Sequence, residues 1–69
     1  MAERLDNNLK DIRAELGLTQ AQLGELVGVT RKTINTVENG VFVPSTLLAL
    51  KIARAVGRRV EEIFAISSD

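Results

Sequence analysis

Apolar residues recur along this chain at three- and four-residue steps, in short runs set apart by Gly17, Gly28, Gly40, Pro44 and Gly57, with Gly24 inside one of them. That is the period of helices packed on one side, and no run alternates as a half-buried strand would. A first helix is predicted over about Asp6 to Leu16, where Leu5, Leu9, Ile12 and Leu16 form one stripe. Asp6 or Asn7 can cap its start, and Gly17 can supply a left-handed C-terminal position. Arg13 falls only about 40° from the centre of that stripe. A guanidinium at a core edge requires a carboxylate partner.

A second helix is predicted from Thr19 to Val27. Thr19 is a good N-cap, and Gln22 three residues on completes a capping box. Leu23 and Val27 face inward. Gly28 breaks this helix, Val29 is apolar and expected to be buried, and Thr30 caps a third helix almost at once. Ile34 and Val37 are inward on the third helix, which stops at Asn39-Gly40. The stretch Val41 to Pro44 reads as an extended linker, because the residue before proline avoids the α region. Ser45 caps a fourth helix that ends at Gly57, with Leu48, Ala49, Ile52, Ala53 and Val56 inward. A short fifth helix is expected from about Val60 to Ile66, with Val60, Ile63 and Phe64 inward. The expected fold class is all-α, one five-helix domain over residues 1–69.

Composition narrows what such a domain can do. A chain of 69 residues has a small core, since it buries only about 60% of its unfolded surface. Hydrophobic residues make up 45% and charged ones 26%, which is globular. There is no Cys and no His, which excludes a disulfide framework, a zinc finger, a thiol nucleophile and His-based catalysis. Tyr is absent too, and no glycine loop is built to cradle a phosphate, so an enzyme is not expected. Glu61 and Glu62 read as the polar side of the last helix rather than a metal pair. Neither a secretory segment nor an apolar run near membrane length occurs, and the expectation is a cytoplasmic protein with no membrane partner, metal or cofactor.

Nine basic and nine acidic residues cancel, but not evenly. Residues 41–60 hold Lys51, Arg54, Arg58 and Arg59 with no acid, a run read as a solvated or non-specific electrostatic face rather than a base reader. A phosphate is felt only within roughly a Debye length of 8 Å, so a neutral total does not exclude a locally basic face.

The block from Thr19 to Asn39 joins two capped helices through a tight glycine turn, which is a helix-turn-helix unit. In such units the second helix offers its N-terminal residues to the major groove of DNA. Here Lys32 and Thr36 lie opposite the inward Ile34 and Val37, Thr33 and Asn35 flank them, and Arg31 projects from the helix start. Arg and Lys donate to guanine, Asn pairs with adenine, and the Thr methyl meets the thymine methyl. No Asp or Glu stands on this face.

The run LGLTQAQLGELVGVTRKTINTVENG, followed by PSTLLALKIARAVG and VEEIF, resembles the Xre/Cro-type, phage-repressor-like helix-turn-helix regulators over about Leu9 to Ile66. The resemblance implies a compact five-helix DNA-binding domain. It assigns base reading to Arg31, Lys32, Thr33 and Thr36, with Asn35 at a more variable outward position. It assigns phosphate contacts to Gln20 and Asn39, and Thr19 beside Gln20 joins that set. It also pairs Arg13 with Glu38 as a structural ion pair, which supplies the partner that Arg13 requires. Three residues depart from the family pattern. Gly24 replaces the usual Ala, at about 1 kcal/mol of helix propensity. Leu26 stands at a polar position, and Val41 at a position where a Lys near the DNA backbone is common.

Leu47 and Leu50 fall off the inward stripe of the fourth helix, and Phe42 and Val43 precede them. Clustered exposed apolar residues mark interfaces, so a homodimer contact is expected here, extended by Phe64 and Ile66. The expected function is a sequence-specific double-stranded DNA-binding regulator, a repressor bound as a homodimer to a two-fold operator. Two other readings stand beside it. An antitoxin would bind a toxin protein as well as DNA. An interaction adaptor of the same fold would not bind DNA, and loss of the polar, basic outward face would favour it; that face is intact.

Overall fold

Two short strands, at residues 3–7 and 64–68, take over the start of the expected first helix and the end of the expected fifth, so the fold is not strictly all-α. The computed structural model describes residues 2–68, and the two outermost positions of the expected domain, Met1 and Asp69, lie outside the described residues. The elements are β1 (Glu3–Asn7), α1 (Leu9–Glu15), α2 (Gln20–Val27), α3 (Arg31–Glu38), α4 (Thr46–Val56), α5 (Val60–Ile63) and β2 (Phe64–Ser68). The strands pair antiparallel, with Leu5 opposite Ile66 and Asn7 opposite Phe64.

Leu5 and Leu9 stand four residues apart, so the α1 stripe extends by spacing alone back into β1. Asn7 stops it. Its Oδ1 accepts the Leu9 N–H at 3.1 Å, and its Nδ2 donates to the Val37 carbonyl at 3.0 Å. The Asn8 N–H goes to the Ile63 carbonyl at 3.1 Å. With a first-turn amide satisfied from outside the helix, α1 begins at Leu9 rather than Asp6. At the other end Phe64 turns extended (φ −117°, ψ 143°), which ends α5 at Ile63.

The core is one cluster drawn from every helix: Leu9 and Ile12, Leu23 and Val27, Ile34 and Val37, Leu48, Ile52, Ala53 and Val56, then Ile63, with Phe64 of β2. The inward positions expected from the pattern are those that meet, Phe64 among them, with two adjustments. Leu16 follows the end of α1 and is 46% exposed. Val29, Ala49 and Val60 are half-buried at the rim of the cluster. Phe64, expected to serve a dimer contact, is only 7% exposed and is a core residue. The strand pairing carries it inward, so it has little surface left for a partner.

The turn between α2 and α3 fixes their mutual placement. Thr19 accepts from the Gln22 N–H at 3.0 Å while Gln22 Oε1 accepts from the Thr19 N–H at 2.8 Å, the capping box read from the sequence. Gly28 ends α2 at φ 79°, a left-handed value that favours glycine. The chain then doubles back on Gly24, whose carbonyl accepts the Val29 N–H at 2.9 Å. A Cβ on Gly24 would lie 2.6 Å from the Val29 carbonyl oxygen. The glycine that looks like a propensity loss therefore lets the turn lie directly against α2.

Candidate nucleic-acid interface

Helix α3 presents the candidate readers. Thr30 caps it, accepting the Thr33 N–H at 3.2 Å. Arg31, Lys32 and Asn35 are exposed, whereas Thr33 and Thr36 are half-buried. Neither Arg31 nor Lys32 meets a carboxylate among the described residues. The Thr36 hydroxyl donates to the Thr33 carbonyl at 2.8 Å. Its proton is thus committed, leaving the hydroxyl only as an acceptor. Asn39, the residue that ends α3, donates through Nδ2 to Asn35 Oδ1 one turn earlier, at 3.2 Å. Asn35 keeps a second lone pair and both of its N–H donors.

Behind α3 lies a charged hub. Arg13 donates to Glu38 through Nε (2.7 Å to Oε2) and Nη2 (3.2 Å to Oε1), and through Nη1 to the Leu18 carbonyl at 2.9 Å. The Arg13 side chain is 15% exposed and that of Glu38 only 2%. The hydrogen bond to Glu38 raises the Arg13 pKa above its ordinary value against the opposing effect of burial. This pair ties α1 to α3, the ion pair expected from the sequence. A third donor was not foreseen: Gln20 Nε2 reaches Glu38 Oε1 at 3.0 Å. Gln20, Arg31, Lys32 and Asn35 line one cleft, so the candidate phosphate contact and three candidate readers converge. Thr19, by contrast, spends its hydroxyl as an acceptor on the cap of α2.

Of the residues expected at a dimer contact, Phe42, Val43 and Phe64 line one cavity together with Leu5 and Pro44. The Thr36 carbonyl accepts both the Val41 and Phe42 N–H groups, at 3.0 and 3.1 Å, which folds the linker back on α3. Phe42 and Val41 consequently border Lys32, Thr33 and Thr36 in a shallow cleft. Val43, Leu47, Leu50 and Ile66 are exposed, and Leu50 borders a groove with Leu5, Pro44, Ala49 and Phe64. Among the described residues, no helix is long and apolar enough to cross a membrane.

Two capped helices locked across a glycine turn, the second with a basic and polar outer face, define a helix-turn-helix regulator. The chain belongs to the Xre/Cro-type helix-turn-helix family of DNA-binding transcriptional regulators: the family model described as Helix-turn-helix matches residues 9–63. It is 45% identical over 65 residues to the HTH-type transcriptional regulator YgzD of Bacillus subtilis (strain 168), spanning 94% of this chain and 98% of that one. An HTH-type transcriptional regulator of Methanothermobacter thermautotrophicus is 52% identical over 62 residues, 88% of this chain and 90% of the relative. Among solved structures, the restriction-modification controller protein C.AhdI from Aeromonas hydrophila superposes with a TM-score of 0.74 at 33% identity, over 78% of this chain and 82% of that one. The transcriptional regulator VanUg superposes over 100% of this chain and 92% of its own, with a TM-score of 0.79 and 18% identity, a likeness of fold alone.

Proposed function

We propose that this chain acts as a single-domain repressor in the cytoplasm, binding a two-fold DNA operator as a homodimer and working by occupancy rather than catalysis. The observation that carries this reading is the outer face of α3, where exposed Arg31, Lys32 and Asn35 share a cleft with Gln20. The only carboxylate of that helix, Glu38, is buried behind the face. In this reading Arg31, Lys32, Thr33, Asn35 and Thr36 meet base edges, while Gln20 and Asn39 hold the backbone. A domain of this kind reads one half-site, and pairing two sets the readers about 34 Å apart on one side of the duplex. Exposed Val43, Leu47, Leu50 and Ile66 supply apolar surface for the pairing.

The test is selection of bound duplexes from a random library, followed by a salt titration on the selected site. A two-fold sequence should emerge. With three or four phosphate contacts per subunit, log K should fall against log salt with a slope of roughly −5 to −7. Absence of duplex binding at low salt would refute the reading.

A further inference from the structure

The ion pair behind α3 has one bond more than a structural clasp between α1 and α3 requires. Glu38 Oε1 accepts from Arg13 Nη2 at 3.2 Å and from Gln20 Nε2 at 3.0 Å, while Oε2 takes Arg13 Nε at 2.7 Å. Gln20 opens α2 and is half-buried, and its side chain reaches the cleft it shares with Arg31 and Lys32. An amide nitrogen carries two hydrogens in one plane. With one spent on Glu38, the direction of the other is set. The flipped amide would place its oxygen against a carboxylate oxygen, two acceptors in contact, so Glu38 selects one orientation of the two. Arg13 cancels the carboxylate charge, and Glu38 can therefore sit beneath a phosphate contact without repelling it.

We infer that Glu38 is a positioning residue for DNA-backbone contact: it holds the Gln20 amide with one N–H on its own carboxylate and the other presented to a phosphate. This rests on the DNA-binding reading above. It couples the buried clasp of α1 and α3 to the outside of the molecule through α2, and it gives Glu38 a role that Arg13 does not share.

The probe is the selected duplex with one phosphate at a time replaced by an uncharged methylphosphonate. For the wild-type protein, neutralising the phosphate opposite Gln20 should weaken binding roughly tenfold, the value of one hydrogen bond to a charged group. Gln20→Ala should lose sensitivity at that phosphate and keep it elsewhere. Glu38→Gln, assayed at a temperature where circular dichroism shows it folded, should lose sensitivity at the same phosphate. Its amide offers one oxygen where three donors had two. Arg13→Lys disturbs the same ion pair but leaves the Glu38–Gln20 bond, so it should melt lower and keep the wild-type phosphate map. A purely structural Glu38 would lower the melting temperature and leave the map unchanged, and that result overturns the proposal.

A measurement on the wild-type protein needs no folded variant. In NMR spectra of the free protein, one Gln20 side-chain amide proton should be protected from exchange, and the other should shift when the duplex is added. Rapid exchange of both overturns the inference while leaving DNA binding intact. Failure of the wild-type protein to bind any duplex overturns the DNA-binding reading itself, and is seen before any variant is made.

Discussion

Glu38→Gln tests the packing of the hub through stability alone. The substitution keeps shape and removes the charge. It strands the Arg13 guanidinium, which is 15% exposed, beside an amide in place of a carboxylate. Arg13 cannot escape by losing its proton, because a guanidinium stays charged at any usable pH. One of the two former carboxylate oxygens becomes an NH2 group facing a donor. Removing one partner of a fully buried pair costs about 3–5 kcal/mol. Residual exposure and the bond from Arg13 to the Leu18 carbonyl lower that figure, and the lost acceptor raises it by about 1 kcal/mol. The net cost is about 3 kcal/mol.

A domain of this size holds only about 4–10 kcal/mol in all, so such a loss is a large share of the total. The midpoint of thermal unfolding should fall by roughly 12–20 °C. Urea titration followed by far-UV circular dichroism measures it, with an unchanged slope showing that the two states are the same ones. The apolar double variant Arg13→Met with Glu38→Leu should recover part of the loss, since no charge is left stranded. A cost for Glu38→Gln below about 1 kcal/mol would mean that the pair behaves as a surface ion pair, and the reasoning from burial would fail.

Gly24→Val should destabilise the fold by about 2–3 kcal/mol, because its side chain meets the Val29 carbonyl; an unchanged melting temperature would show that the turn can retreat. Arg31→Ala and Lys32→Ala should each cost roughly 1–3 kcal/mol on the selected duplex and relax its base preference, whereas Gln20→Ala should weaken all duplexes alike; quantitative binding to a panel of point-substituted sites separates the two behaviours. Leu47→Glu with Leu50→Glu should leave the monomer folded, abolish dimers in sedimentation, and reduce affinity for the two-fold site far more than for a half-site. A double variant that still sediments as a dimer moves the interface elsewhere.

The helices were legible because their signals are local. Thr19, Thr30 and Ser45 cap where the pattern places them, and each accepts the N–H three residues on. The Arg13–Glu38 pair was legible because a helical wheel puts a charge near the core and the resemblance supplies its partner. The strands were not legible, since their pairing joins residues about sixty positions apart and each strand is too short to alternate convincingly. Asn7 ends the helical reading through a bond to Val37 thirty residues away, which no local window contains. The Gln20–Glu38 bond was hidden for the same reason. The Asn35–Asn39 bond, at helical i, i+4 spacing, was within reach of the sequence. The close approach at Gly24 was not legible, because propensity counts the helix it sits in and not the turn that packs on it.

Zero net charge is the feature least suited to a DNA-binding protein, and the placement of the acids removes the conflict. Asp6 pairs with Arg4 at 3.4 Å, Glu15 with Arg58 at 3.6 Å and Glu61 with Arg59 at 3.8 Å, all outside the helix-turn-helix unit. Exposed pairs of this kind add little stability, about 0–1 kcal/mol each. Glu3, Asp11 and Glu62, also exposed, lie outside that unit as well. Within the unit, Glu38 is buried against Arg13, so Glu25 on α2 is its one exposed carboxylate. Arg31 and Lys32 therefore act over a short range, within roughly 8 Å at physiological salt. Long-range attraction to duplex of any sequence is weak for such a molecule, and non-specific binding is almost wholly electrostatic. On the proposed reading, in which α3 meets base edges, a neutral protein of this design gains discrimination by withholding affinity from DNA that does not fit that face.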